Sequence, residues 1–464
     1  MRKILPFLLL VLLASCTEKK PEGPAMVKGK WERKGKLEKL NLYKLENGQL
    51  AEVASSTIGA DSTFTFAFEP QNGDFYYIGV NTLLANRYAF YLKPGDNLNF
   101  TVNDSTYVLN GKNSAENVEM AKWHDFVQPL EWKSIYFTRG ISTYVDFFPV
   151  LEEKVKSGFP ASKTKNKEFN SKFENYKKFN MLQIAMNFLF TPRTAHPQGE
   201  DFPDYYRNLN VADYTTTTAA MNYPGGVDLV NKVIYYNIKF NNSIPQNEKD
   251  SILRNPVNAV MNSLSTVVND TIKGELAMMF AKSNRTFPGL VDYESKYGKY
   301  LITDAQKNNM QNLKSELNVV RAGTPAIDFK FPDMNGKAVA LSDFKGKVVY
   351  IDVWATWCGP CKAEIPHLKK LETEYHNNKN VVFMSVGTDK SADKQKWVDY
   401  VKNEKLEGVQ LFAGDDARKD ILDPYKIKGI PRFILVGKDG NIISEDAPRP
   451  SSNEIRPLLN ANLK

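Results

Sequence analysis

Two thiols, Cys358 and Cys361, are separated only by Gly359-Pro360. A Cys-x-x-Cys pair at a strand-to-helix junction is a redox motif. The neighbouring residues supply that junction. Val348-Val349-Tyr350-Ile351-Asp352-Val353-Trp354 is an apolar, largely β-branched run that reads as a buried strand. After Cys361, the apolar residues Ile365, Leu368, Leu371 and Tyr375 recur at helical spacing. Cys358 then falls just before the helix, where unpaired N–H groups and the macrodipole favour a thiolate. Cys361 sits one turn inside, shielded and within reach of a mixed disulfide. Pro360 suits a first helical position, where its missing N–H costs nothing. Zinc would need two further ligands. No second Cys pair exists, and His367 is the one nearby histidine.

Two carboxylates flank the pair. Asp352 lies inside the apolar strand, where burial raises its pKa. That suits a proton acceptor for Cys361. Glu364, three residues after Cys361, is a second candidate for the same task. The plainer alternatives are a structural acid for Asp352 and an exposed helix residue for Glu364.

These residues resemble the thioredoxin superfamily. Trp357-Cys358-Gly359-Pro360-Cys361 matches its active-site signature, Asp352 its buried acid, Pro366 its helix-kinking proline and Ile430-Pro431 its cis-proline loop. The lead-in Ser342-Asp343-Phe344-Lys345-Gly346-Lys347, together with Glu364, resembles the membrane-tethered TlpA/ResA branch. The resemblance implies an α/β thioredoxin fold over residues 322–464 and thiol–disulfide exchange as the activity. Cys358 would attack a substrate disulfide and Cys361 would resolve the adduct, leaving a Cys358–Cys361 disulfide. Trp357, Gly359, Pro360, Ile430 and Pro431 would contact the substrate, with the proline loop pairing to it as a short added strand. The implied partners are disulfide-bearing proteins and a membrane thiol reductase that donates electrons. No cofactor is implied. Gly-Pro between the cysteines favours reduction over an oxidase or isomerase role. A peroxidase is disfavoured, because that family's Pro-x-x-x-Thr-x-x-Cys is missing. Two departures stand out. Residues 381–386 lack the Lys usual beside the buried acid, which sends the proton relay through Glu364 or water. Arg432 replaces the usual Thr and is expected to place a positive charge near the substrate groove.

The N-terminus bears on the compartment. Arg2-Lys3 precedes an apolar stretch, residues 4–13, that is too short to span a bilayer. Leu13-Ala14-Ser15-Cys16 resembles a bacterial lipobox, which implies a signal peptide over 1–15 and lipidation of Cys16. Residues 16–25 would be a flexible linker. The expected location is the envelope of a Gram-negative bacterium, anchored to the membrane and facing the periplasm. Thr17 is not the Asp that retains some lipoproteins at the inner membrane, so the reading leans to the outer one. The three cysteines of the chain are thereby used up, with none left for a structural disulfide. The net charge of +8 comes from 61 basic and 53 acidic residues spread along the chain. No basic block with interleaved aromatics sits on a nucleic-acid motif, so nucleic acid is not an expected partner. The Lys-rich run 154–178 reads as a solvated helix face.

A chain of 464 residues exceeds one typical core. Residues 26–112 alternate with period two at 36–45 and 62–68 and carry aromatic-rich runs at 74–80 and 87–93, between Gly- and Asn-containing turns. They read as an all-β, sandwich-like domain and resemble a β domain of unknown function that precedes thioredoxin-like domains in Gram-negative lipoproteins. Residues 113–321 read as all-α, with helices at 115–134, 162–190, 245–268, 270–282 and 303–321. Residues 162–165 and Thr303-Asp304 supply the expected N-caps. His124 and His196 lie too far apart in sequence to read as a metal pair, and Met278-Met279-Phe280 reads as core; no metal site is expected. Residues 328–331 and 339–341 flank Asn335-Gly336 as a hairpin. Strands at 381–386, 432–436 and 441–444 and helices at 392–405 and 454–462 complete the chain. A reading from another class is a lipoprotein whose first two domains bind a ligand or partner, with redox chemistry secondary.

Overall fold

The computed structural model describes residues 23–35, 37–46, 48–81, 87–104, 106–135, 143–191, 195, 197–240 and 244–464. The expected signal peptide, Cys16, most of the expected linker and His196 lie outside them. Two compact units divide the chain, Met1–Ile272 and Lys273–Lys464.

Alternation builds the strands of the first unit. They are β1 (Ala25–Trp31), β2 (Lys39–Glu46), β3 (Gln49–Thr57), β4 (Thr63–Phe68), β5 (Asp74–Gly79), β6 (Arg87–Leu92), β7 (Asn97–Val102) and β8 (Tyr107–Leu109). One sheet runs β4-β1-β7-β8 and the other β3-β2-β5-β6. Val27, Phe64, Phe66, Leu98 and Phe100 of the first meet Leu40, Leu42, Tyr76, Ile78 and Phe90 of the second in one core. Two half-buried sheets closed on each other are a β-sandwich. Gly29 is required in β1, because a Cβ there would lie 2.6 Å from both the Phe100 carbonyl and the Phe64 ring.

Helices follow: α1 (Ala115–Ile135), α2 (Tyr144–Lys156), α3 (Lys167–Phe190), α4 (Asp204–Arg207), α5 (Val211–Thr215), α6 (Gly226–Lys239), α7 (Gln246–Leu253), α8 (Pro256–Asn262) and α9 (Asp270–Ala281). The Asn117 side chain ties α1 to β6, accepting from the Tyr91 N–H at 2.9 Å and donating to its carbonyl at 2.8 Å. The segment 245–268, expected as one helix, is broken. Pro256 lacks an N–H and disfavours helix at the preceding residue. Asn255 instead caps a new helix. The cap of α3 is Asn166, one residue past the expected stretch. The lysine run 154–178 is not uniformly solvated: Lys177 is 1% exposed and donates to the Pro160 carbonyl and Glu174.

The second unit opens with the rest of α9 from Lys273, followed by α10 (Phe287–Tyr297) and α11 (Asp304–Asn318). Thr303 caps α11 and Gln306 completes the capping box. The hairpin β9 (Lys330–Pro332) and β10 (Ala338–Ala340) leads into β11 (Val348–Trp354), α12 (Gly359–Tyr375), β12 (Val381–Gly387), α13 (Lys394–Asn403), β13 (Val409–Phe412), β14 (Arg432–Val436), β15 (Ile442–Ser444) and α14 (Ile455–Leu463). The sheet order is β13-β12-β11-β14-β15, with β11, β12 and β13 parallel and β14 and β15 antiparallel. Every residue of β11 is buried, Asp352 included, as a largely apolar run covered on both faces requires. Val349, Ile351 and Val353 point to one layer with Phe329, Leu341 and Tyr425. Val348 and Tyr350 point to the other, with Leu368 and Leu371 of α12 and Leu459 of α14. This is the thioredoxin-like arrangement the resemblance implies.

Candidate active site

The site forms where β11 ends and α12 begins. Cys358 is the N-cap of α12 and Pro360 occupies its first turn. The N–H of Cys361 donates to the Cys358 sulfur at 3.2 Å. A disulfide joins Cys358 and Cys361, and each residue is 4% exposed. They share an apolar cluster with Trp354, Ala355, Trp397, Val401 and Phe412, against which Ile430 packs. Around this buried pair the rim is open. Trp357 is 66% exposed, and Gly359 and Pro360 are exposed beside it. The Ile430–Pro431 peptide is cis.

Asp352 lies on β11 with Phe433 opposite it on β14 and Ser385 opposite it on β12. Neither neighbour is basic. Burial, then the charges of Glu372 and Glu364, push its carboxyl up to about 8. One of its oxygens finds no hydrogen-bond partner among the described residues. Glu364 is buried rather than solvated, at 8% exposure. Its carboxylate accepts from the Ser451 N–H at 3.0 Å and hydroxyl at 2.9 Å, and Arg449 lies 3.7 Å away.

Three features were not read from the sequence. Glu372, on the buried side of α12, is held up to about 7 by burial and then by Glu407. Its place seven residues after Ile365 on the apolar stripe was a usable signal. Asp389, 1% exposed, accepts from the Thr356 N–H at 3.1 Å and from its hydroxyl at 2.6 Å. It pins the loop just before the cysteines. Its position two residues past β12, at the same sheet end as Cys358, was the clue. Arg285, far away in sequence, contacts the proline loop, and no local signal marks it.

Arg432 corrects an expectation. It is 1% exposed and turned inward, donating to the Glu445 carbonyl at 3.0 Å, so it puts no exposed charge on the groove. Its side chain follows the alternation of β14, which directs it to the buried layer of Ile434 and Val436. Trp354, 1% exposed, is part of the core and packs on Tyr400. His124 bonds Thr106 at 2.8 Å and stacks on Tyr107 in the first unit.

The Redoxin family model matches residues 321–459. The thiol-disulfide oxidoreductase ResA of Bacillus cereus is 31% identical over 149 residues, which cover 32% of this chain and 83% of that protein. ResA of Bacillus subtilis is 30% identical over 142 residues, covering 30% of this chain and 75% of the relative. A solved thiol:disulfide interchange protein from Bacteroides sp. is 30% identical and covers 30% of this chain and 91% of its own, with a TM-score of 0.28.

Proposed function

The chain belongs, through its C-terminal domain, to the ResA family of thiol-disulfide oxidoreductases, and on that premise we propose that it reduces protein disulfides outside the cytoplasm from a lipid anchor at Cys16. The observation that carries this reading is Cys358 at the head of α12, joined to Cys361 beneath an open rim. In the reduced enzyme the Cys358 thiolate attacks one sulfur of a substrate disulfide, and the other leaves as a thiolate that takes up a proton. Cys361 then gives its proton to Asp352 and attacks the Cys358 sulfur. The second substrate sulfur leaves and is protonated. Two electrons pass to the substrate, and a membrane thiol reductase restores the Cys pair. Trp357, Gly359, Pro360, Ile430 and Pro431 hold the substrate chain. The domains run 26–112, 113–321 and 322–464, with 16–25 as the tether and the outer membrane of a Gram-negative envelope as the location.

A Cys361→Ser trap tests the reading. Mixed disulfides between Cys358 and envelope proteins, identified by mass spectrometry, are expected. A trap that captures no protein in cells would overturn it.

A second reading has one observation in its favour. The first unit holds a cavity of about 320 Å³ walled by Phe75, Tyr77, Tyr176 and Tyr223, with Lys172 and Asp74 among its lining. A cavity of this size, walled partly by aromatic rings and partly by polar groups, can take a small ligand. If binding is the main role, a Cys358→Ser/Cys361→Ser strain keeps the wild-type phenotype.

A further inference from the structure

The Redoxin match begins at residue 321, yet residues 273–320 belong to the same compact unit. From that earlier segment the turn after α9 reaches the proline loop. The Arg285 guanidinium donates to the Pro431 carbonyl at 3.3 Å and pairs with Asp446 at 3.3 Å. Its own carbonyl accepts from Arg432 at 3.5 Å. Lys428, at the other end of the loop, donates to the Lys282 carbonyl at 2.9 Å. Residues 428–432 are thus held by a segment outside the family match.

The loop has reason to be held. Pairing of β14 with β11 ends at Arg432 opposite Val353. Gly429, Ile430 and Pro431 run on past that ladder, so the sheet does not fix them. Ile430 nevertheless packs against the cluster that contains both cysteines. A substrate chain bound main chain to main chain beside the disulfide would take its register from these three residues. A charged donor on the Pro431 carbonyl fixes them, and Asp446 fixes the donor.

We propose that Arg285 is a positioning residue for polypeptide substrates, setting residues 429–431 against the disulfide without touching the reacting sulfurs. This rests on the thiol–disulfide reading above and deepens it. The groove that selects protein disulfides is then built partly by the helical segment before the thioredoxin-like domain.

The test compares two substrates on the full chain: a peptide with one disulfide, and the small aromatic disulfide 5,5′-dithiobis(2-nitrobenzoate). Loss of one charge-assisted hydrogen bond predicts that Arg285→Ala raises KM for the peptide about tenfold or more, with kcat within about twofold. Reduction of the small disulfide and the pH profile of Cys358 alkylation should follow wild type. Arg285→Lys, which keeps a donor, should recover most of the loss. Asp446→Asn frees the guanidinium while leaving it in place, and should give the same split in weaker form should Arg285→Ala fail to fold. Equal losses on both substrates would mean a merely structural role and overturn the inference. So would peptide kinetics in Arg285→Ala, or in Asp446→Asn should Arg285→Ala fail to fold, that match wild type. Wild-type protein that reduces neither substrate would sink the functional reading itself.

Discussion

Asp352 and Glu364 repel each other, but only Glu364 has both carboxylate oxygens engaged, accepting from Ser451 through each. Asp352 keeps a buried oxygen with no partner. A general base needs a free lone pair aimed at the proton it takes, and a carboxylate pushed up to about 8 holds that proton near neutral pH. The two acids are therefore unequal. Asp352→Asn should slow release of the mixed disulfide about 10²-fold while sparing its formation. Glu364→Gln should slow release by less than about threefold, its effect passing through the charge it lends Asp352. Stopped-flow Trp fluorescence on a model disulfide resolves the two steps. A double variant that releases as fast as wild type at every pH would leave neither acid with a catalytic role.

The same burial sets a pH dependence of stability. The Asp352 carboxyl titrates near 3.8 when unfolded and near 8 when folded. Between those values the folded chain keeps a proton that the unfolded chain has lost. Its contribution is complete at low pH, falls as pH rises through that window, and is gone above the folded value. Glu372, raised from 4.5 to about 7, adds the same sign over a narrower span. Asp352→Asn should flatten the slope and leave the oxidised protein more stable than wild type in mild alkali, by on the order of a few kcal/mol. Thermal midpoints across the range decide it. Equal slopes for both proteins between about pH 6 and 8 would contradict the buried state of Asp352.

The redox element was legible because its signals are local. A strand apolar but for Asp352, a Cys cap, a proline in the first turn and a 3.6-residue stripe all fall within residues 348–375, and β11 and α12 follow them. Strands with one buried face, such as β4, were legible by alternation. β3 was not, since none of its residues is buried and its pattern barely alternates. β13 and α6 have turn glycines beside them, Gly408 and Gly414 around β13 and Gly225 before α6, but β13 is only four residues long and α6 starts from Gly225 in the left-handed region rather than from a side-chain cap. Pairings between distant residues leave no mark in a single chain. Arg285 on Pro431 and Ser451 on Glu364 are of that kind, and so is the inward turn of Arg432.

Thr356 and Asp389 form a closed pair, both 1% exposed. The Thr356 N–H and hydroxyl spend themselves on one carboxylate. Asp389→Ala would leave two buried donors unpaired, at a cost of about 2–4 kcal/mol. Thr356→Val on that background should cost little more, because its hydroxyl is already unmatched. Urea unfolding of the double-mutant cycle measures this. Additive losses would mean that the two residues do not act together.

The anchor stands apart from the fold. Among the described residues no helix is long and apolar enough to cross a membrane. If Cys16 carries lipid, Cys16→Ser should move the protein from the membrane pellet to the soluble fraction. Equal membrane shares for variant and wild type would remove the anchor from the proposal.

The last prediction separates the two thiols. In the disulfide each cysteine is 4% exposed, so burial of the oxidised pair does not rank them. Electrostatics does. The Cys358 sulfur receives the Cys361 N–H at 3.2 Å at the head of α12, and donors aimed at a sulfur favour its thiolate. Its neighbours Trp357, Gly359 and Pro360 are exposed, which gives a reagent a path. Cys361 lies inside the first turn, and Asp352 and Glu364 are both buried on this side of the domain, where negative charge raises a thiol's pKa. After reduction, Cys358 should alkylate at least about one pH unit below an ordinary thiol, which titrates near about 8.5. Cys361 should stay slow until well above that pH. Iodoacetamide labelling across the pH range, with each site read by mass spectrometry, gives both profiles. Asp352→Asn should lower the Cys361 profile and leave that of Cys358 in place. Two thiols with one shared profile would reverse the assignment of attacker and resolver.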